Sequence, residues 1–416
     1  MKNYMHSIGT KAKNALKDKI NTKLKNKVLN DYIFLIKKNK KLIIKKNNID
    51  IKIAIKKKLR ENLVSRLIIN EKKINDISKS INNIRKLKDP IDVTLKKWKR
   101  PNKLLIKKVS IPIGTIGIIF ESRPNVACEI SSLGFKSENA LILRGGSEAL
   151  NSNKILISLF RKALKINKIN PNYVQLIEKK ERKYVDFMLS KMTKYIDVIV
   201  PRGGKKLIAK VQNLSKVPTI GHLEGICHTY VDKDADLKIA IKIVHNAKLR
   251  NTSICGATET VLMHKKIFKN FCNPILKKLE NDKCKIIGDK YLKKYYKGNF
   301  FRAKNKDWST EYLNSTISVK CVKNLEAAID HINKFGTMHT DSIITKNKKT
   351  AIKFLKNVNS SIAMHNTSTQ FADGGEFGFG GEIGISTSKL PPRGPVGLEQ
   401  LVSYKYEVIG RGQIRK

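Results

Sequence analysis

Cys255 stands in the run NTSICGATET at positions 251–260, among small and hydroxylated neighbours and ahead of a β-branched, apolar stretch. A thiol in such a loop can reach a carbonyl carbon without hindrance, and the loop's backbone N–H groups can face the same carbonyl. A second run, IPIGTIGIIFESRPN at 111–125, reads as a buried strand that stops at a polar corner carrying Asn125. A thiol nucleophile and a side-chain amide donor are the smallest set of groups that supports acyl transfer through a thioester.

Two further corners suit a phosphate. A strand over 140–143 feeds Arg144-Gly145-Gly146-Ser147-Glu148 and then a helix, and the run DVIVPRGGK at 197–205 repeats the device with Gly203 and Gly204. A strand that ends at a Gly pair before a helix turns backbone N–H groups, and here cations, toward an anion. One Gly pair often does no more than turn the chain; two in one α/β unit favour a nucleotide site. The ordinary dinucleotide fingerprint G-x-G-x-x-G is missing. The run DGGEFGFGGEIG at 373–384 has other spacing and no adequate strand before it, so it reads as a loop or structural turn.

The remaining thiols, Cys128, Cys227, Cys272, Cys284 and Cys321, lie in apolar or helical surroundings where Cys behaves as a small hydrophobe. No CxxC pair or zinc-type spacing occurs, which suits a reduced cytosolic protein better than a disulfide scaffold. His222 and His228 flank a turn, and a surface or hydrogen-bonded role is expected of each. Neither stands at ligand spacing to another donor, so no metal site is expected.

The elements that must position these groups follow from the apolar rhythm. Residues 1 to 90 alternate apolar and Lys/Asn positions at helical spacing, as in Val28, Tyr32, Leu35 and Ile36, then Leu63, Leu67 and Ile68. Strand character begins near residue 95, with a hairpin over 98–109. Beyond it strands alternate with helices, at 140–143, 173–177 and 196–200, and a second alternating unit runs from Cys227 to about 365. Such alternation predicts an α/β fold with mainly parallel sheets. The tail from Gly374 is Gly/Pro-rich and then strand-like over 401–408, which reads as an arm rather than a core.

The chain of 416 residues is long enough for two or more cored domains, and its net charge of +51 invites a nucleic-acid reading. The 71 Lys against 14 Arg are spread with Asn and Ile over the whole length. A dedicated nucleic-acid binder concentrates its charge and favours Arg; coding bias toward A and T accounts for the scatter. The longest apolar stretch, near 111–120, is too short and too broken to span a bilayer, and the basic N-terminus has no apolar core of a secretory signal. The expected location is the cytoplasm.

The segments PIGTIGIIFESRPNV, ALILRGGSEA, DVIVPRGGKKLI, GICHTYVDKDADLKIAIKIVHNAK, HINKFGTMHTDSIIT and FADGGEFGFGGEIGISTSKLPPRGPVGLEQLVSYKY resemble, in order and over nearly the whole chain, the gamma-glutamyl phosphate reductase family of the aldehyde dehydrogenase superfamily. The resemblance implies an α/β aldehyde dehydrogenase-like fold with two parallel-sheet domains and a small oligomerisation arm. It divides the chain into an NADP-binding domain at 1–224 with a protruding hairpin at about 95–112, a catalytic domain at 225–365, and a return segment with a C-terminal oligomerisation arm at 366–416. The implied reaction is reduction of L-glutamyl 5-phosphate by NADPH to L-glutamate 5-semialdehyde, NADP and phosphate, in proline biosynthesis. Cys255 falls on the family's nucleophile and Asn125 on its oxyanion donor. Arg144 and Ser147 fall where the adenosine ribose is handled, Gly203 and Gly204 on the cofactor corner, and Glu311 on a contact of the nicotinamide ribose. A homo-oligomer and functional coupling to a glutamate 5-kinase are the implied partners.

Hydrolytic members of the superfamily carry a water-activating Glu upstream of their Cys. Here the residue 33 positions before Cys255 is His222, with Glu224 out of register. That departure fits a phosphate-releasing enzyme. The family's Gln-Arg-Pro before the Cys is replaced by Leu249-Arg250-Asn251-Thr252, its Arg by Gln370, and a Val-Asn turn by Met364-His365-Asn366. A hydrolytic semialdehyde dehydrogenase and a basic RNA-binding protein stand as the alternative readings.

Overall fold

The N-terminal helices follow from the spacing of their aliphatic residues. In the computed structural model, residues 1–121 and 123–415 are described; Ser122 of the ESRPNV motif and Lys416 at the end of the arm lie outside the described residues, as does the side chain of Asn62. Five helices come first: α1 (Lys2–Ala15), α2 (Thr22–Lys38), α3 (Lys40–Lys56), α4 (Glu61–Leu67) and α5 (Glu71–Lys86). In α5 the stripe Ile74, Ile77, Ile81 and Ile84 is buried. Its N-cap Asn70 accepts from the Lys73 N–H at 2.8 Å, satisfying one of the helix's orphan donors. Val28, Tyr32, Leu35 and Ile36 are buried on α2 as their spacing predicts. Ile68 is not: α4 stops at Leu67, the chain turns extended, and Ile68 points outward while Leu67 is buried.

The chain divides into two units, one of Met1–Gly221, Gly378–Gly384 and Val396–Lys416, the other of His222–Phe377 and Ile385–Pro395. In the first unit, β1 (Thr94–Lys99) and β2 (Leu105–Pro112) form the expected hairpin. The C-terminal strand, Val402–Ile409, pairs antiparallel with β2 from Val402 against Pro112 to Ile409 against Leu105. Then come β3 (Thr115–Phe120), α6 (Pro124–Lys136), β4 (Ala140–Gly145), α7 (Leu150–Ile166), β5 (Val174–Leu176), α8 (Lys183–Lys191), β6 (Val198–Arg202) and α9 (Lys205–Leu214). A short 3-10 turn, Ser147–Ala149, precedes α7, which begins at Leu150. The sheet order is β5-β4-β3-β6, all parallel, with β3 buried throughout. The segment after Gly374 is not all arm: Ile383, Val396, Leu398 and Leu401 are buried in this unit's core.

The second unit is built from β7 (Cys227–Val231), α10 (Leu237–Leu249), β8 (Thr258–His264), α11 (Lys265–Asn281), β9 (Lys285–Gly288), α12 (Leu292–Tyr295), β10 (Phe301–Arg302), β11 (Thr316–Val322), α13 (Leu325–Phe335), β12 (Thr340–Ile344), α14 (Lys348–Asn357) and β13 (Ile362–His365). Its seven strands are parallel in the order β10-β9-β11-β8-β7-β12-β13. β8, β7 and β12 are buried along their length, as strands covered on both faces must be. No helix among the described residues is long and apolar enough to cross a membrane.

Candidate active site

Cys255 is half-buried in a turn three residues ahead of β8. The turn is made locally: the Ser253 N–H donates to Asn251 Oδ1 at 3.0 Å and the Ala257 N–H to the Ile254 carbonyl at 3.0 Å. Its inner side rests on Gly225, where a β-carbon would stand 2.2 Å from the Cys255 carbonyl oxygen. Only glycine permits that approach. The Cys227 thiol donates to the same carbonyl at 3.0 Å, and burial pushes that thiol well above its ordinary range, so it stays a protonated donor. Cys227 is therefore more than the small hydrophobe its surroundings suggest: it holds the backbone of Cys255. Glu311, a sequence-predicted residue, accepts from the Gly225 N–H at 2.9 Å and so supports the same contact.

The segments on either side of the turn are tied down. Lys248, at the end of α10, is wholly buried with its Nζ 2.5 Å from Glu259 Oε2 on β8, and burial raises the Glu259 carboxyl to about 7. Thr258 Oγ1 lies 2.8 Å from Thr229 Oγ1 and 2.9 Å from Thr369 Oγ1. Two of the departures from the family pattern meet here. Arg250 Nε donates to Gln370 Oε1 at 3.0 Å, and Gln370 Nε2 donates to the Ala247 carbonyl at 2.9 Å. The guanidinium and the amide hold each other.

Sequence spacing missed the histidines. Adjacent strands β8, β7 and β12 bring Cys255, Cys227 and His339 to one edge of the sheet, the amino ends of the strands. One ring nitrogen of His222, one of His339 and Cys255 Sγ lie within 4.8 Å of one another. His222 Nδ1 is 2.8 Å from the Ile385 carbonyl, and the two imidazoles meet edge to face at 4.8 Å between centroids. These three donors stand close together although none is at ligand spacing in the sequence. The residues lie far apart in the chain, and only strand adjacency reveals them. His228 by contrast is a structural residue: wholly buried, it meets Asp341 Oδ1 through its backbone N–H and its Nδ1, each at 2.8 Å.

The other sequence-predicted residues belong to the first unit and collect at the carboxyl ends of its strands. The order β5-β4-β3-β6 reverses direction at β3, and the crevice beyond such a switch point is where open α/β sheets take ligands. Phe120, the last residue of β3, pairs with Gly145 on one side and Arg202 on the other. Asn125 follows, half-buried in the first turn of α6 behind Pro124. Gly203 and Gly204 precede α9, and the Gly204 N–H donates to Glu121 Oε2 at 2.9 Å. An anionic oxygen thus already sits at this helix N-terminus, in the manner a dinucleotide phosphate would use. A β-carbon on Gly203 would come within 2.6 Å of the same carboxylate. A nucleotide phosphate would have to take the Gly204 N–H in place of the Glu121 carboxylate.

Arg144 and Ser147 sit at the end of β4, but not as loose contacts. Arg144 donates from Nη1 to the Gly145 carbonyl at 2.8 Å and from Nη2 to the Lys180 carbonyl at 2.9 Å, while its Nε is buried without a hydrogen-bond partner among the described residues. The Ser147 hydroxyl donates to Glu148 Oε2 at 3.5 Å.

No family model matches the chain. Over 413 residues it is 43% identical to gamma-glutamyl phosphate reductase of Brucella suis biovar 1 (strain 1330), covering 99% of this chain and 98% of that one. The crystal structure of gamma-glutamyl phosphate reductase from Thermotoga maritima matches with a TM-score of 0.96 at 39% identity, covering 99% of this chain and 100% of that one. An acetylating aldehyde dehydrogenase from Geobacillus thermoglucosidasius shares the fold, with a TM-score of 0.69 at 14% identity over 100% of this chain and 98% of that one. The full-length match to curated relatives, on two parallel-sheet units with a thiol at a strand's amino end, places the chain in the gamma-glutamyl phosphate reductase family, oxidoreductases of the aldehyde dehydrogenase fold.

Proposed function

We propose that this chain reduces L-glutamyl 5-phosphate to L-glutamate 5-semialdehyde with NADPH, releasing phosphate, in proline biosynthesis. The observation that carries the reading is Cys255: a half-buried thiol on a turn whose backbone is fixed by Gly225 and Cys227. A carboxylate does not accept hydride, whereas an acyl phosphate is activated. The Cys255 thiolate attacks the acyl carbon, the bond to the phosphate oxygen breaks with its electron pair going to phosphate, and a thioester remains on Sγ. NADPH, when bound, supplies the hydride that reduces the thioester. The Asn125 amide and the Cys255 N–H stabilise the oxyanion. As the carbonyl re-forms, the carbon–sulfur bond breaks and the Cys255 thiolate departs, freeing the aldehyde. His222 in place of a water-activating Glu supports a thioester that survives until it is reduced.

In this reading the unit with β3 to β6 holds NADPH through Gly203, Gly204, Arg144 and Ser147, and the unit with β7 to β13 carries the nucleophile, with Glu311 toward the nicotinamide ribose. The hairpin and the C-terminal strand, which exposes Tyr404, Tyr406 and Val408, serve a homo-oligomer. The lability of an acyl phosphate favours a cytoplasmic enzyme coupled to the glutamate 5-kinase that makes it.

The test runs the reaction backward. Oxidation of glutamate 5-semialdehyde by NADP should require inorganic phosphate and vanish in Cys255→Ser. Full-speed oxidation without phosphate would assign the hydrolytic reading instead. A steep salt slope with tight residual RNA binding would favour the nucleic-acid reading.

A further inference from the structure

We propose that His222, Cys255 and His339 form a binding site for a thiophilic divalent cation, Zn2+, seated on the sulfur that the proposed reaction uses. Three observations point to it. The three donor atoms already lie within 4.8 Å of one another. His339 is wholly buried and its Nε2 has no hydrogen-bond partner among the described residues, so a ligand there would satisfy it. His222 Nδ1 contacts the Ile385 carbonyl at 2.8 Å, which fixes the orientation of the ring. A ring held by a carbonyl behind it is the usual setting of a metal-binding histidine.

The chemistry selects the cation. One thiolate and two imidazoles suit Zn2+ and exclude Mg2+ and Ca2+, which demand oxygen donors. Zn–N and Zn–S bonds of ordinary length put tetrahedral ligand atoms about 3.5 Å apart, so the set closes by about an ångström on binding. Cys255 and His222 are half-buried, so water can supply the fourth ligand. His339 Nδ1 is occupied by Thr340 Oγ1 at 2.9 Å and lies 3.6 Å from Cys227 Sγ, which leaves Nε2 to coordinate. On binding, the Cys255 thiol gives its proton to solvent and a sulfur–zinc bond forms; nothing is oxidised or reduced. Coordination draws on the sulfur lone pairs and leaves a weaker nucleophile toward an acyl carbon. This consequence alone rests on the proposed role of Cys255: the cation would be a reversible off-switch.

The test uses the full-length protein and the metal alone. One equivalent of Co2+ should develop a thiolate-to-cobalt charge-transfer band that Zn2+ displaces, with one proton released. The band should vanish in Cys255→Ser and persist in Cys227→Ser and Cys272→Ser. His222→Gln and His339→Gln should each weaken binding by at least the roughly 10–100-fold ordinarily lost with an outer-shell partner. Because His339 is buried, its variant carries a folding cost, and the half-buried His222 position keeps the test decisive. A band that survives in Cys255→Ser, unchanged affinity in His222→Gln, or no band in the wild type overturns the site. Metal bound at Cys255 with undiminished turnover would support the site and overturn the nucleophile role. An inactive Cys255→Ser beside a wild type that binds no metal would do the reverse.

Discussion

A β-carbon built on Gly225 would stand 2.2 Å from the Cys255 carbonyl oxygen, 2.6 Å from the Cys255 β-carbon and 2.7 Å from its α-carbon. All three contacts are with the backbone or root of Cys255, so no side-chain rotation relieves them. Gly225→Ala must push the Cys255 turn away. A misplacement of about 1 Å at a reacting atom costs on the order of 100-fold in rate. We expect Gly225→Ala to lower kcat by at least that factor while the far-UV circular dichroism stays that of the wild type. An unchanged kcat would show that the turn's position does not matter.

Asn125 is expected to act late in the reaction, on charge that develops on the acyl oxygen. Asn125→Ala should therefore reduce kcat by roughly 10²–10³-fold and leave KM within a small factor. Steady-state kinetics with saturating NADPH separate the two. A rise in KM with kcat preserved would assign Asn125 to substrate binding instead.

Arg250 and Gln370 form a single hydrogen-bonded unit. Its members are bonded at 3.0 Å and anchor to the Ala247 carbonyl, so single substitutions should not add. A double-mutant cycle with Arg250→Ala and Gln370→Ala should give a coupling of about 0.5–3 kcal/mol in urea unfolding. The exchange Arg250→Gln with Gln370→Arg should recover most of the stability lost by either change alone. Additive losses would mean that the two positions drifted independently.

His331 gives the second unit an acid weakness. It packs on Trp308, Phe335 and His228, and its Nδ1 lies 2.9 Å from Lys320 Nζ. Burial, then the nearby His228, Lys320 and Lys334, lowers its pKa to about 2. The unfolded chain protonates this residue near its ordinary value of about 6.5 while the folded chain does not. Stability from this group is full above that value and falls with pH below it, by about 1.4 kcal/mol per unit. Urea unfolding between roughly pH 7 and pH 5 should show that slope in the wild type and a shallower one in His331→Phe. Parallel slopes would remove His331 as the cause.

Much of the fold was legible because local chemistry and tertiary demand agree. The isoleucine stripe of α5 and the buried strand β3 have one sensible use each, and the Gly pairs at the ends of β4 and β6 mark the strand-to-helix corners. Boundaries shifted where a neighbour decided them. Ile68 fits the helical stripe, yet α4 ends one residue earlier and leaves it outside. The Gly/Pro-rich tail looked peripheral because its buried residues are few and scattered, although Leu398 and Leu401 reach the first unit's core.

By itself the sequence determined which thiol could be a nucleophile, since hindrance and backbone exposure are properties of Cys255's own turn. It also determined which corners could hold a phosphate, since a glycine pair at a helix start is a local device. Only the tertiary structure decided what surrounds that sulfur. Parallel strands need long crossovers, so β7, β8 and β12 draw their amino ends together from segments 28 and 84 residues away from Cys255. Strand order and register, which no local spacing encodes, put Gly225, Cys227 and His339 beside it.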